Sequence, residues 1–246
     1  MDMQISVCIS TYRGAERLRK LLPTIAVCDD EGVEVVVFDD GSPASDAVAI
    51  IDAASGAGLA RVKCLRAEHN RGYATCMRDA VEASEGEIIL LLDDDTLVPR
   101  GLFSTLRALM AAMPNVGVLS WRSEGARPGQ SQTAIAGMLQ PATQLASYCY
   151  AFPKKVWVEV GGFDAGFRFF TIDSDFCVRA TLAGHPCYRV WWPLVPHLEH
   201  GGASDTVPFS REEVAKRDLI EFHAKWGCNP DEMERRALKS LEERAR

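Results

Sequence analysis

Short apolar segments alternate with helix-like segments through the first half of the chain, and this alternation restricts the fold more than any other feature. Segments 35–38 and 88–92 contain only apolar residues, whereas a strand with one face in water alternates apolar and polar side chains. The pattern predicts an α/β protein with a mostly parallel sheet that helices cover on both faces. The predicted strands are residues 5–10, 34–39, 62–65, 87–92 and 116–119, and the predicted helices are residues 15–25, 46–54, 73–83 and 102–113.

The second half of the chain is less regular. Residues 122–136 are polar and rich in glycine, which predicts a loop. Residues 145–152 and 156–160 are compatible with strands or a short helix. The remaining predictions are a loop at 161–167, a helix at 174–183, a strand at 187–192, a loop at 193–204 and closing helices at 211–226 and 232–244.

Composition narrows the class of protein. Lys and Arg number 27 and Asp and Glu number 34, giving a formal charge of −7, so we expect no nucleic-acid binding, which favours a basic face. Eight cysteines without a C-x-x-C pair indicate free thiols in a reducing, cytoplasmic setting. No signal peptide or apolar run of about 20 residues is present, so we expect no transmembrane segment, while peripheral membrane contact stays open.

Three predicted strands end in polar or acidic residues. The first is followed by residues 10–13, the second by residues 39–42, and a later strand by Asp93, Asp94 and Asp95. Each group alone also suits a turn or a helix cap. Ligands of open α/β sheets bind beyond the carboxyl ends of the strands, so three such ends together favour a binding site.

The triple aspartate predicts a site for a divalent cation. Alternate residues of a strand face the same way, so Asp93 and Asp95 can converge while Asp94 turns aside. Mg²⁺ and Mn²⁺ take oxygen ligands and often join a carboxylate to substrate phosphates. Such an ion would offset the repulsion between neighbouring carboxylates.

Another acidic pair, Asp173 and Asp175, begins a predicted helix after the sequence GGFDAGF. Asp173 could cap that helix, or it could serve as a general base that faces an acceptor hydroxyl. The residues alone leave both interpretations open.

The order of four motifs resembles the family 2 glycosyltransferases, which have the GT-A fold with its Rossmann-like sheet. The motifs are ISVCISTYRGAERLRKLL, VEVVVFDDGSPASD, HNRGYATCMRDAVEASEGEIILLLDDDTLVP and GGFDAGFRFFTIDSDFCVRATLAGH, and the resemblance spans roughly residues 4–203. It implies one GT-A domain at 1–210, with a nucleotide-binding half at 1–120 and an acceptor half at 121–210. We expect the acceptor half to contain a smaller mixed sheet, and residues 211–246 to form a helical extension packed on the domain.

The resemblance also implies roles for single residues. Asp173 would be the general base. Asp95 would be the more direct metal ligand of the D-x-D pair, with Asp93 beside it. Asp39 would support the loop that carries Asp40. The implied nucleotide-binding residues are Ser10, Thr11, Tyr12 and Arg13, with Asp40 accepting a hydrogen bond from the base and Asp94 near the ribose or donor sugar.

The chain departs from the family pattern at the residue that precedes the general base. Members usually carry Glu-Asp at this position, whereas Ile172 precedes Asp173 here, which removes a neighbour associated with acceptor binding. A second departure is the Arg78-Asp79 pair, where many members have Arg-Asn. Asp175 remains a candidate for contact with the acceptor or sugar.

The tryptophan and histidine residues in the segment 191–200 have two interpretations each. His197 and His200 could reach the metal or diphosphate, or lie in a loop with backbone partners. Of the two we favour His200 as the metal ligand, because Gly201 and Gly202 allow close backbone approach, and His197 is kept as an acceptor-side candidate. Trp191 could stack on a sugar or belong to the core.

The implied reaction moves a sugar from a nucleotide diphosphate sugar to an acceptor hydroxyl with inversion, assisted by Mg²⁺ or Mn²⁺. UDP-sugars are favoured as donors, and the class is a hexosyltransferase. The acceptor could be a glycan, a lipid-linked sugar or a small molecule. The alternatives are a degenerate sugar-nucleotide-binding protein and a nucleotidyltransferase. A D-x-D-x-T phosphatase and a dinucleotide-binding oxidoreductase fit the spacing less well.

Overall fold

The structure is a computed structural model, and it describes residues 3–28, 32–123, 139–198 and 210–244. The strands are β1 (Ile5–Thr11), β2 (Val33–Asp39), β3 (Val62–Arg66), β4 (Ile88–Asp93), β5 (Leu119–Ser123), β6 (Leu139–Pro141), β7 (Cys149–Pro153) and β8 (Tyr188–Val195). The helices are α1 (Ala15–Cys28), α2 (Ala44–Ser55), α3 (Tyr73–Ala83), α4 (Leu102–Ala112), α5 (Lys154–Val160), α6 (Ile172–Ala183), α7 (Arg211–Trp226) and α8 (Pro230–Arg244).

All the described strands form one sheet of eight, in the order β3-β2-β1-β4-β7-β5-β8-β6. The first four strands along this order are parallel to one another. Strand β7 runs antiparallel to both β4 and β5, β8 is parallel to β5, and β6 is antiparallel to β8. The sheet is therefore parallel on the side of the first half of the chain and mixed on the other side.

The register of the central strands places their carboxyl ends together. Thr11 at the end of β1 is opposite Asp39 at the end of β2, and Ser10 is opposite Asp93 at the end of β4. Because β7 is antiparallel, its first residue, Cys149, is opposite Leu92. The chain that enters β7 therefore reaches the same edge as the three strand ends.

The sheet separates two hydrophobic cores. In β4, Ile88, Leu90 and Leu92 pack into one core, and Ile89 and Leu91 pack into the other. Both sets are buried by helices, which explains why this strand lacks a polar face. The prediction of helices on both faces is confirmed.

The second half differs from the sequence predictions in several places. The strand predicted at 116–119 occurs later, as β5, and the segment 145–160 contains both β7 and α5. The strand predicted at 187–192 extends as β8 to Val195. The mixed strands do not form a separate smaller sheet but continue the main one. The predicted loop 122–136 lies almost entirely outside the described residues.

The two closing helices are present, and α8 packs against α6. All eight cysteines are free thiols. Among the described residues, no helix combines the length and the apolar composition that crossing a bilayer requires.

Candidate active site

The carboxyl end of β4 is tied to the segment that follows β8. The amide of Leu97 donates to the carbonyl of Pro196 at 2.9 Å, and the amide of Leu198 donates to the carbonyl of Asp95 at 2.8 Å. An isolated bridge pairs Thr96 with His197. This pairing, between residues about a hundred positions apart, brings an imidazole to the acidic strand end.

Asp93, Asp95 and His197 form a cluster that could hold a metal ion. One ligand atom from each side chain lies within 4.8 Å of the other two. His197 Nε2 is 3.1 Å from Asp95 Oδ1, and the His197 ring stacks on Tyr148 with 4.7 Å between centroids. Two carboxylates and an imidazole are a ligand set that suits a divalent cation such as Mn²⁺.

The electrostatics of the cluster favour a bound cation. The pKa of Asp93 is raised to about 7, chiefly by burial and then by the nearby carboxylate of Asp95, while His197 opposes the rise. A cation reverses this effect because it stabilises the ionised carboxylate. The cluster is therefore unfavourable when it is empty and ionised, and favourable when it holds a positive charge.

Asp94 points away from the other two aspartates, as strand alternation predicts. Its carboxylate accepts hydrogen bonds from the Thr11 hydroxyl at 2.5 Å and from Arg17 Nε at 2.7 Å. The side chain is buried, and burial raises its pKa against the lowering effect of Arg17. A Cβ atom on Gly14 would lie 2.2 Å from this carboxylate. The geometry gives Asp94 a structural task, and its contact with the ribose or donor sugar stays a prediction.

Two buried aspartates bind the loop after β2 to the segments beside it. Asp40 accepts from the backbone amides of Arg71 at 2.6 Å and Gly72 at 3.0 Å, so it holds the start of α3. Asp39 accepts from Arg66 Nε at 3.1 Å and from the Ser42 amide at 3.0 Å. Both carboxylates thus lie at the predicted edge and order the loops around it.

The residues that follow β1 lie at the same edge. Ser10 and Tyr12 are half-buried. Arg13 is exposed, has φ of 51°, and places its guanidinium 5.5 Å from the Tyr12 ring centroid. The Arg13 amide donates to the Ser42 hydroxyl at 2.8 Å, which joins the β1 and β2 loops. The predicted nucleotide-binding segments are therefore neighbours in space.

Asp173 lies in the first turn of α6, close enough to Asp93 to help raise the pKa of that residue. Burial raises the pKa of Asp173 itself to about 6, although backbone hydrogen bonds from Ser174 and Ser147 oppose the rise. The N-cap of α6 is Thr171, so the alternative in which Asp173 caps the helix is not what the structure shows.

Asp175 lies at the contact between α6 and α7. It is fully buried, and its carboxylate lies 2.8 Å from Arg179 Nε, 2.9 Å from Trp226 Nε1 and 2.8 Å from Lys225 Nζ. These partners hold α6 against α7 and leave no oxygen directed at an acceptor. The predicted acceptor contact is therefore corrected to a role in packing the two helices.

The structure describes only one of the two histidines, and the preference for His200 as metal ligand stays a prediction. His197, kept as an acceptor-side candidate, joins the acidic cluster, and His200 lies outside the described residues. Trp191 is half-buried, with the Arg122 guanidinium 4.3 Å from its ring centroid.

Sequence reasoning did not identify Arg17 or Tyr148 as part of this region. Arg17 lies on α1 among other charged residues, and only the buried pairing with Asp94 distinguishes it. Tyr148 directly precedes β7, and the antiparallel direction of that strand brings it to the site. The sequence would have indicated Tyr148 only if the strand that follows it had been predicted to run antiparallel, because an aromatic residue at the start of such a strand lies at the site.

Comparisons with known proteins agree with this arrangement. The model of the family described as Glycosyl transferase family 2 matches residues 6–174, more than half of the chain. The succinoglycan biosynthesis protein ExoU of Rhizobium meliloti (strain 1021) is 33% identical over 91 residues, which cover 37% of this chain and 26% of that protein. The chain thus aligns with about a quarter of the length of this relative.

Solved structures resemble the whole chain. Residues 1–349 of S. aureus TarS superimpose with a TM-score of 0.65 at 17% identity, covering 91% of this chain and 72% of that one. The mannosyltransferase PcManGT from Pyrobaculum calidifontis, solved in complex with GDP-Man and Mn²⁺, gives a TM-score of 0.68 at 18% identity, covering 100% and 76%. At these identities the likeness shows the fold, which is GT-A. The matched motifs and the fold together establish that this chain belongs to glycosyl transferase family 2.

Proposed function

We propose that the protein transfers a sugar from a nucleotide diphosphate sugar to an acceptor hydroxyl with inversion, assisted by a divalent cation and with Asp173 as general base. The observation that carries the proposal is the convergence of Asp93, Asp95 and His197 within one cluster, with Asp173 beside it. Residues distant in sequence supply a cation site and a base at one edge of the sheet, where α/β folds bind ligands.

The cation would be held by Asp93, Asp95 and His197, and it would neutralise the charge that develops on the departing nucleoside diphosphate. The ligand set fits this purpose because burial and the carboxylate of Asp95 raise the pKa of Asp93 when no cation is present. The imidazole nitrogen favours Mn²⁺ over Mg²⁺, since Mg²⁺ prefers oxygen ligands and retained waters.

Asp173 is suited to accept the proton of the acceptor. Its raised pKa of about 6 leaves it mostly ionised near neutral pH but more basic than an ordinary carboxylate, which is favourable for a general base. The acceptor oxygen forms a bond to the anomeric carbon as the bond from that carbon to the diphosphate oxygen breaks. The proton moves to the Asp173 carboxylate. Attack opposite the leaving group inverts the anomeric centre without a covalent enzyme intermediate.

The donor is proposed to be a UDP-sugar, as is common in the family. A GDP-sugar is the alternative to include, because PcManGT was solved with GDP-Man. The segments that follow β1 and β2, residues 10–13 and 39–42, would line the nucleotide. The acceptor would be a glycan, a lipid-linked sugar or a small molecule.

The test is the substitution Asp173→Asn, assayed with a panel of UDP- and GDP-sugars and Mn²⁺. Removing a general base typically costs about 10²–10⁴-fold in rate, and we expect a loss in that range with unchanged affinity for the nucleoside diphosphate. Asp52→Asn, an exposed acid on α2, is the matched control. Retention of most of the kcat by Asp173→Asn would refute the base assignment.

The released product separates the alternatives. With sugar nucleotides as donors, nucleoside diphosphate is the product of glycosyl transfer or slow donor hydrolysis. A nucleotidyltransferase would release pyrophosphate only from a nucleoside triphosphate and a sugar phosphate, so this pair is assayed as well. A wild-type protein that binds sugar nucleotides but releases neither product would be the degenerate binding protein.

A further inference from the structure

Helix α7 carries a carboxylate on its buried face. Val214, Asp218 and Phe222 are the buried residues of this helix, and their spacing of four places them on one side of it. Asp218 is 0% exposed. A buried carboxylate destabilises the fold unless hydrogen bonds compensate for the lost hydration. Asp218 therefore needs hydrogen-bond donors at its position in the core.

Those partners are three successive backbone amides of the loop that precedes α6. The Phe170 amide donates to Asp218 Oδ2 at 2.7 Å and the Phe169 amide at 2.9 Å, and the Arg168 amide lies 3.2 Å from both carboxylate oxygens. The Thr171 hydroxyl donates to the backbone carbonyl of Asp218 at 3.3 Å. One residue of α7 therefore fixes four consecutive residues, 168–171.

The loop held in this way ends in a strained conformation. Thr171 has φ of 54°, a left-handed value that β-branched residues rarely adopt. Such residues persist where the surrounding structure over-determines them, and they cluster at functional sites. Helix α6 begins at the next residue, Ile172, and Asp173 follows. The direction in which the chain enters α6, and with it the place of the Asp173 carboxylate, depends on this loop.

Aromatic contacts connect the same loop to the rest of the site. The Phe169 ring packs edge-on against Tyr73 with 5.9 Å between centroids. The Arg211 guanidinium lies 5.6 Å from the Phe169 ring centroid and 5.7 Å from that of Phe170. Burial raises the pKa of Tyr73, and the nearby charges of Asp93 and Asp173 add to the rise. The loop 168–171 thus lies between α7 and the acidic cluster.

We infer that Asp218 is a positioning residue for the proposed reaction: by binding the amides of residues 168–170, it sets the orientation of Asp173 at the start of α6. The inference rests on the proposed function, because it acts through the base named there. It makes α7 part of the catalytic apparatus, although the helix lies beyond the residues 6–174 that the family model matches.

The test compares Asp218→Asn with Glu221→Gln, an exposed acid on the same helix. In Asp218→Asn the amide oxygen can take the place of Oδ2, but the NH2 group then faces the Arg168 amide as a second donor, and the negative charge that binds the three amides is lost. A displacement near 1 Å at a catalytic group can cost about 10²-fold. We therefore expect kcat to fall at least about tenfold for Asp218→Asn, with the donor KM and nucleotide affinity within about twofold of wild type, and no change for Glu221→Gln.

A double-mutant comparison distinguishes positioning from a general loss of structure. Residues that act as a unit are strongly non-additive. Adding Asp218→Asn to Asp173→Asn should therefore not reduce the residual rate of the latter, measured in long incubations, by more than about twofold. A full additional tenfold loss, or a parallel rise in donor KM, would overturn the positioning role.

The two hypotheses fail differently. An active Asp173→Asn variant would refute the proposed base. An inactive Asp173→Asn together with an Asp218→Asn variant of wild-type kcat would refute only the positioning role. If Asp218→Asn does not fold, hydrogen exchange of the wild-type protein decides. Amides 168–170 should exchange slowly, as those of α6 do, and exchange as fast as that of the exposed residue 165 would refute the positioning role.

Discussion

At the scale of single residues, the three adjacent aspartates of β4 have different environments. Asp93 and Asp95 share a cluster with His197, whereas Asp94 binds Thr11 and Arg17. Strand alternation predicts this division from the sequence. The histidine could not be assigned in the same way, because it reaches the cluster through pairing between residues 95–97 and 196–198, and no local pattern encodes that pairing.

The imidazole of His197 should determine which cation the cluster prefers. In the substitution His197→Gln, an amide oxygen replaces a nitrogen ligand, and oxygen is the ligand that Mg²⁺ prefers. We expect the Mn²⁺ concentration for half-maximal activity to rise by about tenfold or more, an effect typical of altered metal sites, and the ratio of Mn²⁺- to Mg²⁺-supported activity to fall. Metal titrations of activity and of thermal stability measure both quantities.

The control for this substitution is Leu198→Ala, which changes the exposed neighbour and retains the imidazole. Equal Mn²⁺ requirements for wild type and His197→Gln would show that His197 is not a ligand.

At the scale of elements, the two closing helices each hold a loop in the second half of the chain. Asp218 of α7 binds the loop before α6. Glu234 of α8 accepts from the amides of Thr143 at 2.6 Å and Gln144 at 2.9 Å, in the segment that leads to Tyr148 and β7. The helices predicted as an extension packed on the domain therefore make specific polar contacts with the loops around the site.

Glu234→Gln should destabilise the protein by weakening these contacts. A hydrogen bond to a charged acceptor contributes roughly 1.5–3 kcal/mol when buried, and Glu234 is half-buried, so we expect a loss of about 1 kcal/mol in the free energy of unfolding. Urea denaturation measures it. Asp231→Asn is the control on the same helix, since Asp231 is exposed and bonds only the side chain of Gln144 among the contacts described for it. An equal effect of both substitutions would contradict the role of Glu234.

The sequence predicts the elements of the first half better than those of the second. Strands β1, β2 and β4 are continuous apolar runs with a strong pattern, and α1 buries leucines at helical spacing. Strand β6 has three residues, and the pairing of β5 with β8 shifts its register between Trp121 and Ser123. Such elements depend on their neighbours in the sheet rather than on their own periodicity. For this reason one continuous sheet could not be distinguished from two.

At the scale of the whole molecule, the fold brings together acidic side chains that by themselves do not stabilise the folded protein. The register of three parallel strands brings Asp39 and Asp93 to one edge, and the second half adds Asp173. Asp39 is compensated by Arg66, whereas burial and Asp95 raise the pKa of Asp93 to about 7. The site therefore reduces the stability of the metal-free protein, which is common where function requires like charges to converge.

This loss of stability should appear in the pH dependence of the free energy of unfolding, and the substitution Asp93→Asn should remove it. The pKa of Asp93 is about 7 in the folded protein against an ordinary value of 3.8, so between these values the folded state binds more protons than the unfolded state. The free energy of unfolding must then decrease as pH rises through this window and level off above it. In EDTA at pH 8, we expect Asp93→Asn to be more stable than wild type by roughly 1 kcal/mol or more, and the two to converge towards pH 4.

Mn²⁺ should reverse the order of stability of wild type and Asp93→Asn. A ligand that binds only the folded state stabilises it by mass action, so saturating Mn²⁺ should raise the midpoint of wild type far more than that of Asp93→Asn. Urea denaturation at pH 4, 6 and 8, with EDTA or Mn²⁺, tests both parts, and Asp52→Asn should follow wild type throughout. If metal-free Asp93→Asn is no more stable than wild type at pH 8, convergence of these carboxylates does not oppose folding, and the electrostatic basis for a cation at this edge is lost.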